Sequence, residues 1–318
     1  MSRYYSSSRY RKPQSRASHA NRFWVWSTIV LLLLFIGTIF FTMKGKPDGE
    51  GFDINANQSE AAAEEQIANE NTNKALSNKN TNASNTNTAK PIAIKAYISI
   101  IIDDLGNQSP DAAPTKTLLA TKAPITFSVI PERAKSKEIA AAAKTAGFEV
   151  IIHQPMEPVN PALSAGDGSI LSTMSDAQAA QIIDKHVAEI PEAIGMNNHM
   201  GSKVTQDPEL VRAIMKKLKA KGFFFVDSFT ISTSKGFAVA KEEDVKTARR
   251  SVFIDGEDNE AYIRGKILEL ANTALEKRIV VPIGIGHIRA KTVAVLQDML
   301  PELAAMGVGL KKLSEVVE

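Results

Sequence analysis

The residues best suited to chemistry begin with an adjacent pair of carboxylates, Asp103-Asp104, at the end of the apolar run Ile100-Ile101-Ile102. Two like charges beside such a run repel each other and resist desolvation unless something positive sits between or beside them. A divalent cation would supply it. The chain contains no cysteine, so a cation must be held by His, Asp or Glu. Of the five histidines, His153, His199 and His287 stand just beyond short apolar runs, as does Asp227. One carboxylate and two imidazoles around an ion leave positions open for water and substrate, the requirement of a hydrolytic metal site. His186 falls inside a helical window and His19 in the N-terminal tail, and neither is counted among the candidates.

Bringing residues almost 190 positions apart to one place requires an architecture whose strand ends converge. From Pro91 onward, short β-branched runs alternate with amphipathic helical windows. Predicted strands are 97–102, 125–130, 148–152, 193–196, 223–226, 251–254, 280–283 and 308–310, and their continuous apolar character predicts a parallel sheet buried on both faces. Predicted helices are 135–146, 176–190 with Ser175 as N-cap, 208–221 between the cap Asp207 and the stop Gly222, 260–277, and 290–303. Seven or eight β/α units in this length suit an α/β fold of the (β/α) barrel type, distorted or incomplete, better than two stacked domains. An open doubly wound sheet is the alternative, and both place sites at the carboxyl ends of the strands.

The 318 residues are 44% apolar and 23% charged, enough for a large core and too polar for a polytopic membrane protein. Their net charge of +3 is unevenly spread. Residues 1–22 hold six basic side chains and no acid, while the remainder holds 32 basic against 35 acidic, so no nucleic-acid partner is expected for the body. Residues 23–42 carry no charge, and at 1.5 Å per residue twenty residues span roughly 30 Å of hydrocarbon. The expected reading is one uncleaved transmembrane helix, with the basic tail in the cytoplasm and the body on the periplasmic or extracellular side of the inner membrane. Residues 43–91, rich in Asn, Ala and Thr, read as a flexible tether, leaving 92–318 as the folded domain. No protein partner is named by the sequence.

Other signals carry less. Gly284-Ile-Gly286 lacks the rest of a dinucleotide fingerprint, Asp255-Gly-Glu-Asp reads as a solvated turn, and Arg249-Arg250 is expected to pair with nearby acids. A glycosidase would need two carboxylates roughly 5 to 10 Å apart, whereas adjacent Asp103 and Asp104 point to opposite sides of a strand unless the chain bends.

Taken in order, Asp103-Asp104-Leu-Gly, His153-Gln-Pro-Met-Glu-Pro, Gly195-Met-Asn-Asn-His199-Met-Gly-Ser, Phe223-Phe-Phe-Val-Asp227-Ser and Gly286-His287 resemble the motifs of the divergent polysaccharide deacetylases, a branch of the NodB-type carbohydrate esterases. The resemblance runs from about Ile98 to the end of the chain. It implies a metal-dependent hydrolase that removes N-acetyl groups from an envelope or extracellular polysaccharide, with a divalent metal such as zinc. Asp103 would be the general base, Asp104 and His153 metal ligands, and His287 the general acid. The superfamily's second metal-binding histidine is replaced by Glu157, which leaves His199 to supply the missing ligand. Asp227 is the expected partner that orients His287. The replacement at Glu157 and the absence of the superfamily's Arg-containing loop leave a second reading open, a tethered and inactive barrel that binds glycan or an envelope partner.

Overall fold

The structure, a computed structural model, describes residues 93–318. The predicted tail, membrane span and tether therefore lie outside the described residues. Among the described residues no helix is long and apolar enough to cross a membrane.

Nine parallel strands form the sheet: β1 (Ala96–Leu105), β2 (Thr126–Val129), β3 (Glu149–Met156), β4 (Ala193–Met200), β5 (Phe224–Asp227), β6 (Thr247–Arg249), β7 (Val252–Phe253), β8 (Ile283–His287) and β9 (Val308–Leu310). The pairing order is β6-β5-β4-β3-β2-β1-β8-β7, with β9 added beside the start of β1. The path begins and ends at strands consecutive in the chain, and among the described residues no ladder joins β6 to β7. The result is a curled parallel sheet, a barrel left open at one seam.

Among the described residues seven α-helices return the chain between strands: α1 (Ala113–Ala120), α2 (Ser136–Thr145), α3 (Asp176–Glu189), α4 (Pro208–Lys221), α5 (Gly236–Glu242), α6 (Glu260–Leu275) and α7 (Ala290–Met306). Local sequence sets their ends. Ser175 and Gln178 form a reciprocal capping box on α3. Asp207 accepts from two amides at the start of α4, and Gly222 ends it in the left-handed conformation at φ 70°. The sequence missed α1, α5 and β6, which are short and weakly periodic.

Strand alternation divides the core. Ile98, Ile100 and Ile102 of β1 face the helices with Val150 and Ile152 of β3, while Ile101, Ile151, Phe224, Val226, Ile283 and Ile285 pack inside the curl, closed off by Leu313 and Val317. Continuing the inner row toward the carboxyl ends gives Asp103 on β1 and His287 on β8, which are register partners, and His153 on β3, which pairs with Asn197 on β4. Apolar side chains fill the barrel lower down and polar ones cap it.

β8 departs from the predicted 280–283 strand. Val280 is 85% exposed, and the strand starts three residues later, running through Gly284 and Gly286. Both glycines face the helical layer, where a Cβ on Gly284 would stand 2.7 Å from Leu270 and 2.8 Å from Ile254. Glycine there permits close approach of backbone and side chains rather than a turn.

Candidate metal centre

β1 carries the acid pair on a bulge. Between Ile102 and Leu105 the strand advances three residues while β2 advances two, from Phe127 to Val129. Asp104 takes a positive φ of 64°, a conformation that Asp tolerates better than most residues. The bend overturns the alternation expected of neighbouring residues. Asp103 keeps its place in the inner row, and Asp104 turns toward the same mouth.

There Asp104 Oδ1 stands 3.3 Å from His153 Nε2 and 3.0 Å from His199 Nδ1, and the two imidazole nitrogens are 3.1 Å apart. Four donors at ~2.05 Å around a tetrahedral zinc are separated by about 3.3 Å, so these three atoms are spaced as one face of such a tetrahedron. They form the cluster able to hold a metal ion among the described residues. Asp104 Oδ1 is buried without a well-aligned hydrogen bond, the condition of a lone pair awaiting a cation.

Protonation states follow from Asn197, which sits opposite His153 on β4. Its Nδ2 donates to Asp103 Oδ1 at 2.9 Å, and a carboxylate can only accept, so the amide orientation is fixed. Asn197 Oδ1 must then accept, from Ser128 Oγ at 2.8 Å and from His153 Nδ1–H at 2.7 Å. That leaves a lone pair on His153 Nε2, directed at the cluster. An imidazole whose far nitrogen is anchored in this way is the usual form of a metal ligand. Asn197 is fully buried, and sequence reasoning assigned it no role.

His199 lies two residues beyond Asn197 on the same face of β4. The strand end is held by left-handed Met200 and Gly201, by the Gly201 amide on Met156 O, and by Asn198, which accepts from the Ser228 amide and donates to Met200 O. Farther down, a β4 bulge between Ala193 and Met196 sets this register, at a point where the Phe224 ring covers Gly195.

Without a cation, burial pushes Asp104 up, but its interactions with His153 and His199 outweigh burial and hold the carboxyl well below the usual range. Burial pushes His153 down, and the charges of Asp103 and Asp104 more than reverse it. The pocket is thus built to gather positive charge.

His287 ends β8 directly opposite Asp103. Its Nδ1–H donates to Asp255 Oδ1 at 2.8 Å, and its Nε2 faces Asp104 Oδ2 at 3.8 Å. Asp255 is fully buried and also accepts from the His287 amide and Thr292 Oγ1. Burial pushes His287 down, and the hydrogen bond to Asp255 together with the charges of Asp255, Asp104 and Asp103 outweighs it, raising the imidazole above its ordinary value. The orienting carboxylate is therefore Asp255 and not Asp227, and Asp255 belongs to no solvated turn. Asp227 lies on the outer face of β5 with Phe225, where it accepts from Ser234 Oγ and from the amides of Phe229 and Phe237.

Glu157 is turned out of the cluster, held by Lys203 at 2.7 Å and by Ser172. One further expectation is corrected: Arg250 donates to the carbonyls of Ser228 and Phe229 instead of pairing with an acid. The mouth is a cavity of about 450 Å³ lined by Asp103, Asp104, His153, His199, Arg250 and His287 among others.

The family model described as divergent polysaccharide deacetylase matches residues 100–317. The chain belongs to this family. It is 35% identical over 210 residues to a protein of Haemophilus influenzae, covering 66% of this chain and 72% of that one. Identity to the protein YibQ of Escherichia coli K12 is 34% over 206 residues, covering 65% of this chain and 63% of YibQ. A crystal structure of a protein from Agrobacterium tumefaciens C58 superposes with a TM-score of 0.64 at 19% identity, over 71% of this chain and 90% of that one, which is a likeness of fold. A polysaccharide deacetylase-like curled α/β barrel with a candidate Asp/His/His metal site is thus the coarse description of this member of the family.

Proposed function

We propose that the protein is a metal-dependent hydrolase that removes N-acetyl groups from a polysaccharide, releasing acetate and a free amino sugar. The observation that carries this reading is the trio Asp104, His153 and His199, with ligand atoms 3.0 to 3.3 Å apart, flanked by Asp103 and His287. One carboxylate and two imidazoles suit zinc. Such a cation, when bound, would polarise the acetamide carbonyl and lower the pKa of water.

The chain's own residues supply the proton transfers. Asp103, positioned by the Asn197 amide, takes a proton from the attacking water. His287 gives a proton from Nε2 to the departing nitrogen, while Asp255 on Nδ1 stabilises the imidazolium and fixes its orientation. The apolar barrel beneath excludes water from below, which strengthens these charges.

Acetate release from N-acetylated glycan oligomers, measured with and without added zinc, tests the reading. Zinc-dependent release that Asp103→Asn abolishes while zinc stays bound is the expected result. A folded protein that holds one zinc per chain and releases no acetate would overturn the assignment. The same proposal places the domain outside the inner membrane on an anchor at residues 23–42, supported by twenty uncharged residues behind a cationic tail. Protease added to intact spheroplasts should then digest the domain.

A further inference from the structure

Two guanidinium groups line hollows that border the candidate metal centre, and neither forms an ion pair with a carboxylate among the described residues. Arg250 lines the mouth beside Asp103 and His287. Arg133 lines a second cleft of about 270 Å³ whose walls also include Asp104 and His199. Asp104 and His199 therefore border both hollows, each of which has its own arginine.

Both side chains are held in place by neutral groups. Arg250 is partly buried, spends Nε on Ser228 O at 2.7 Å and one terminal nitrogen on Phe229 O at 2.8 Å, and packs 5.1 Å over the Phe253 ring. Arg133 lies against Gly166, where a Cβ would collide with its guanidinium, and reaches Ala165 O. Elsewhere Arg212, Arg264 and Arg278 each reach a carboxylate. A guanidinium held in place and kept from acids is preorganised to receive an anion.

The local charges favour the same conclusion. A divalent cation would cancel Asp103 and Asp104, and His287 forms a pair of its own with Asp255. Arg250 feels Asp227 and Asp103 through space but forms no ion pair with either, and Arg133 forms none with any acid among the described residues, so both guanidinium groups keep donors for which a neutral acetamide has no use.

We propose that the polysaccharide is acidic, and that Arg133 and Arg250 bind carboxylates on the sugars flanking the N-acetyl group that is removed. This rests on the deacetylase reading and adds the substrate class. The carboxylate could belong to a uronic acid or to a lactyl ether.

Both sources are tested with hexasaccharides, one alternating N-acetylglucosamine with glucuronic acid and one alternating it with N-acetylmuramic acid, each compared with its own carboxyl-reduced form. Because a hydrogen bond to a charged group is worth roughly tenfold or more, kcat/KM for at least one acidic form should exceed its reduced form by about that factor. The preferred pair identifies the source. In Arg133→Gln and Arg250→Gln the ratio should fall toward one, mainly through KM, and should be partly restored in Arg250→Lys. Should Arg250→Gln not fold, Arg133→Gln decides alone.

Equal kcat/KM for acidic and reduced forms would overturn the proposal while leaving the deacetylase reading intact. If no hexasaccharide releases acetate, that reading fails instead, and calorimetric binding to the zinc-loaded protein decides the charge preference independently. Tighter binding of an acidic form, weakening with salt, supports the proposal; equal binding of both forms, or none, overturns it.

Discussion

Asn197 gives the sharpest test of the site because one amide serves two functions that can be separated. Its Oδ1 fixes the tautomer of His153, and its Nδ2 positions Asp103. In Asn197→Asp the acceptor for His153 Nδ1–H remains, so the metal-facing nitrogen keeps its lone pair. The second introduced oxygen would take the place of Nδ2, 2.9 Å from Asp103 Oδ1. Two unit charges at that distance repel by about 6 kcal/mol at an effective dielectric of ~20. The pair takes up a proton rather than remain doubly charged, and Asp103 is lost as a base. Zinc content should stay at one per chain while kcat falls by ~10²- to 10⁴-fold. Asn197→Leu acts on the other function. It removes the acceptor from His153 and should weaken zinc by ~10- to 100-fold, and it costs stability because buried Ser128 Oγ and His153 Nδ1 lose a partner, at ~1 to 3 kcal/mol each. Zinc titration with a competing chelator and acetate-release kinetics on both variants give the answer. If Asn197→Asp keeps activity within a few-fold of wild type, or loses zinc as Asn197→Leu does, the account of how this amide divides its bonds is wrong.

Asp255 raises the pKa of His287, so the protonated acid persists to higher pH than a free imidazole would; Asp255→Asn should move the basic limb of the kcat profile to lower pH and reduce the maximum by ~10²-fold or more. Asp227→Ala should strip three donors of their acceptor and destabilise by ~2 kcal/mol or more in urea, yet leave kcat per folded molecule within a few-fold. His186 is buried against Gln154 and Glu132, and burial depresses its pKa despite the bond to Glu132. Below the unfolded value of ~6.5 the unfolded chain binds more protons than the folded one, so stability should fall as pH drops through that value; a denaturation midpoint equally pH-dependent in His186→Gln would refute this. Free zinc at a hundredfold excess over Kd should stabilise the fold by about 2.7 kcal/mol, an increment that chelation removes and Asp104→Ala abolishes.

Much of this arrangement was legible in the sequence because it follows from period-two alternation and strand-end convergence. Buried parallel strands read as continuous apolar runs, and polar residues just past Ile102, Ile152 and Ile285 had to meet at one mouth. The same alternation explains the error at Asp227. Phe224 and Val226 belong to the inner row, so Asp227 shares the outer face with Phe225 and cannot reach His287. That signal was present in the sequence. Asp255 was harder to find, since an acid in Asp255-Gly-Glu-Asp looks exposed until β7 is seen to place it beneath His287, with Thr292 closing over it.

What alternation alone could not supply is Asp104. In a regular strand it would point into the helical layer opposite Asp103, and an unpaired carboxylate there would be costly enough to argue against any shared role for the two. The extra residue between Ile102 and Leu105, with the positive φ at Asp104, reverses that direction, and its only local mark is Gly106 two residues later, at φ 129°, where a side chain would strike Ile130 O. The strained residue is thus the one whose carboxylate closes the cluster with His153 and His199. A non-glycine residue held in a sparsely populated conformation persists where its surroundings over-determine it. A bound cation would fit as that determinant, because it would reward both the bend in the backbone and the convergence of a carboxylate with two imidazoles.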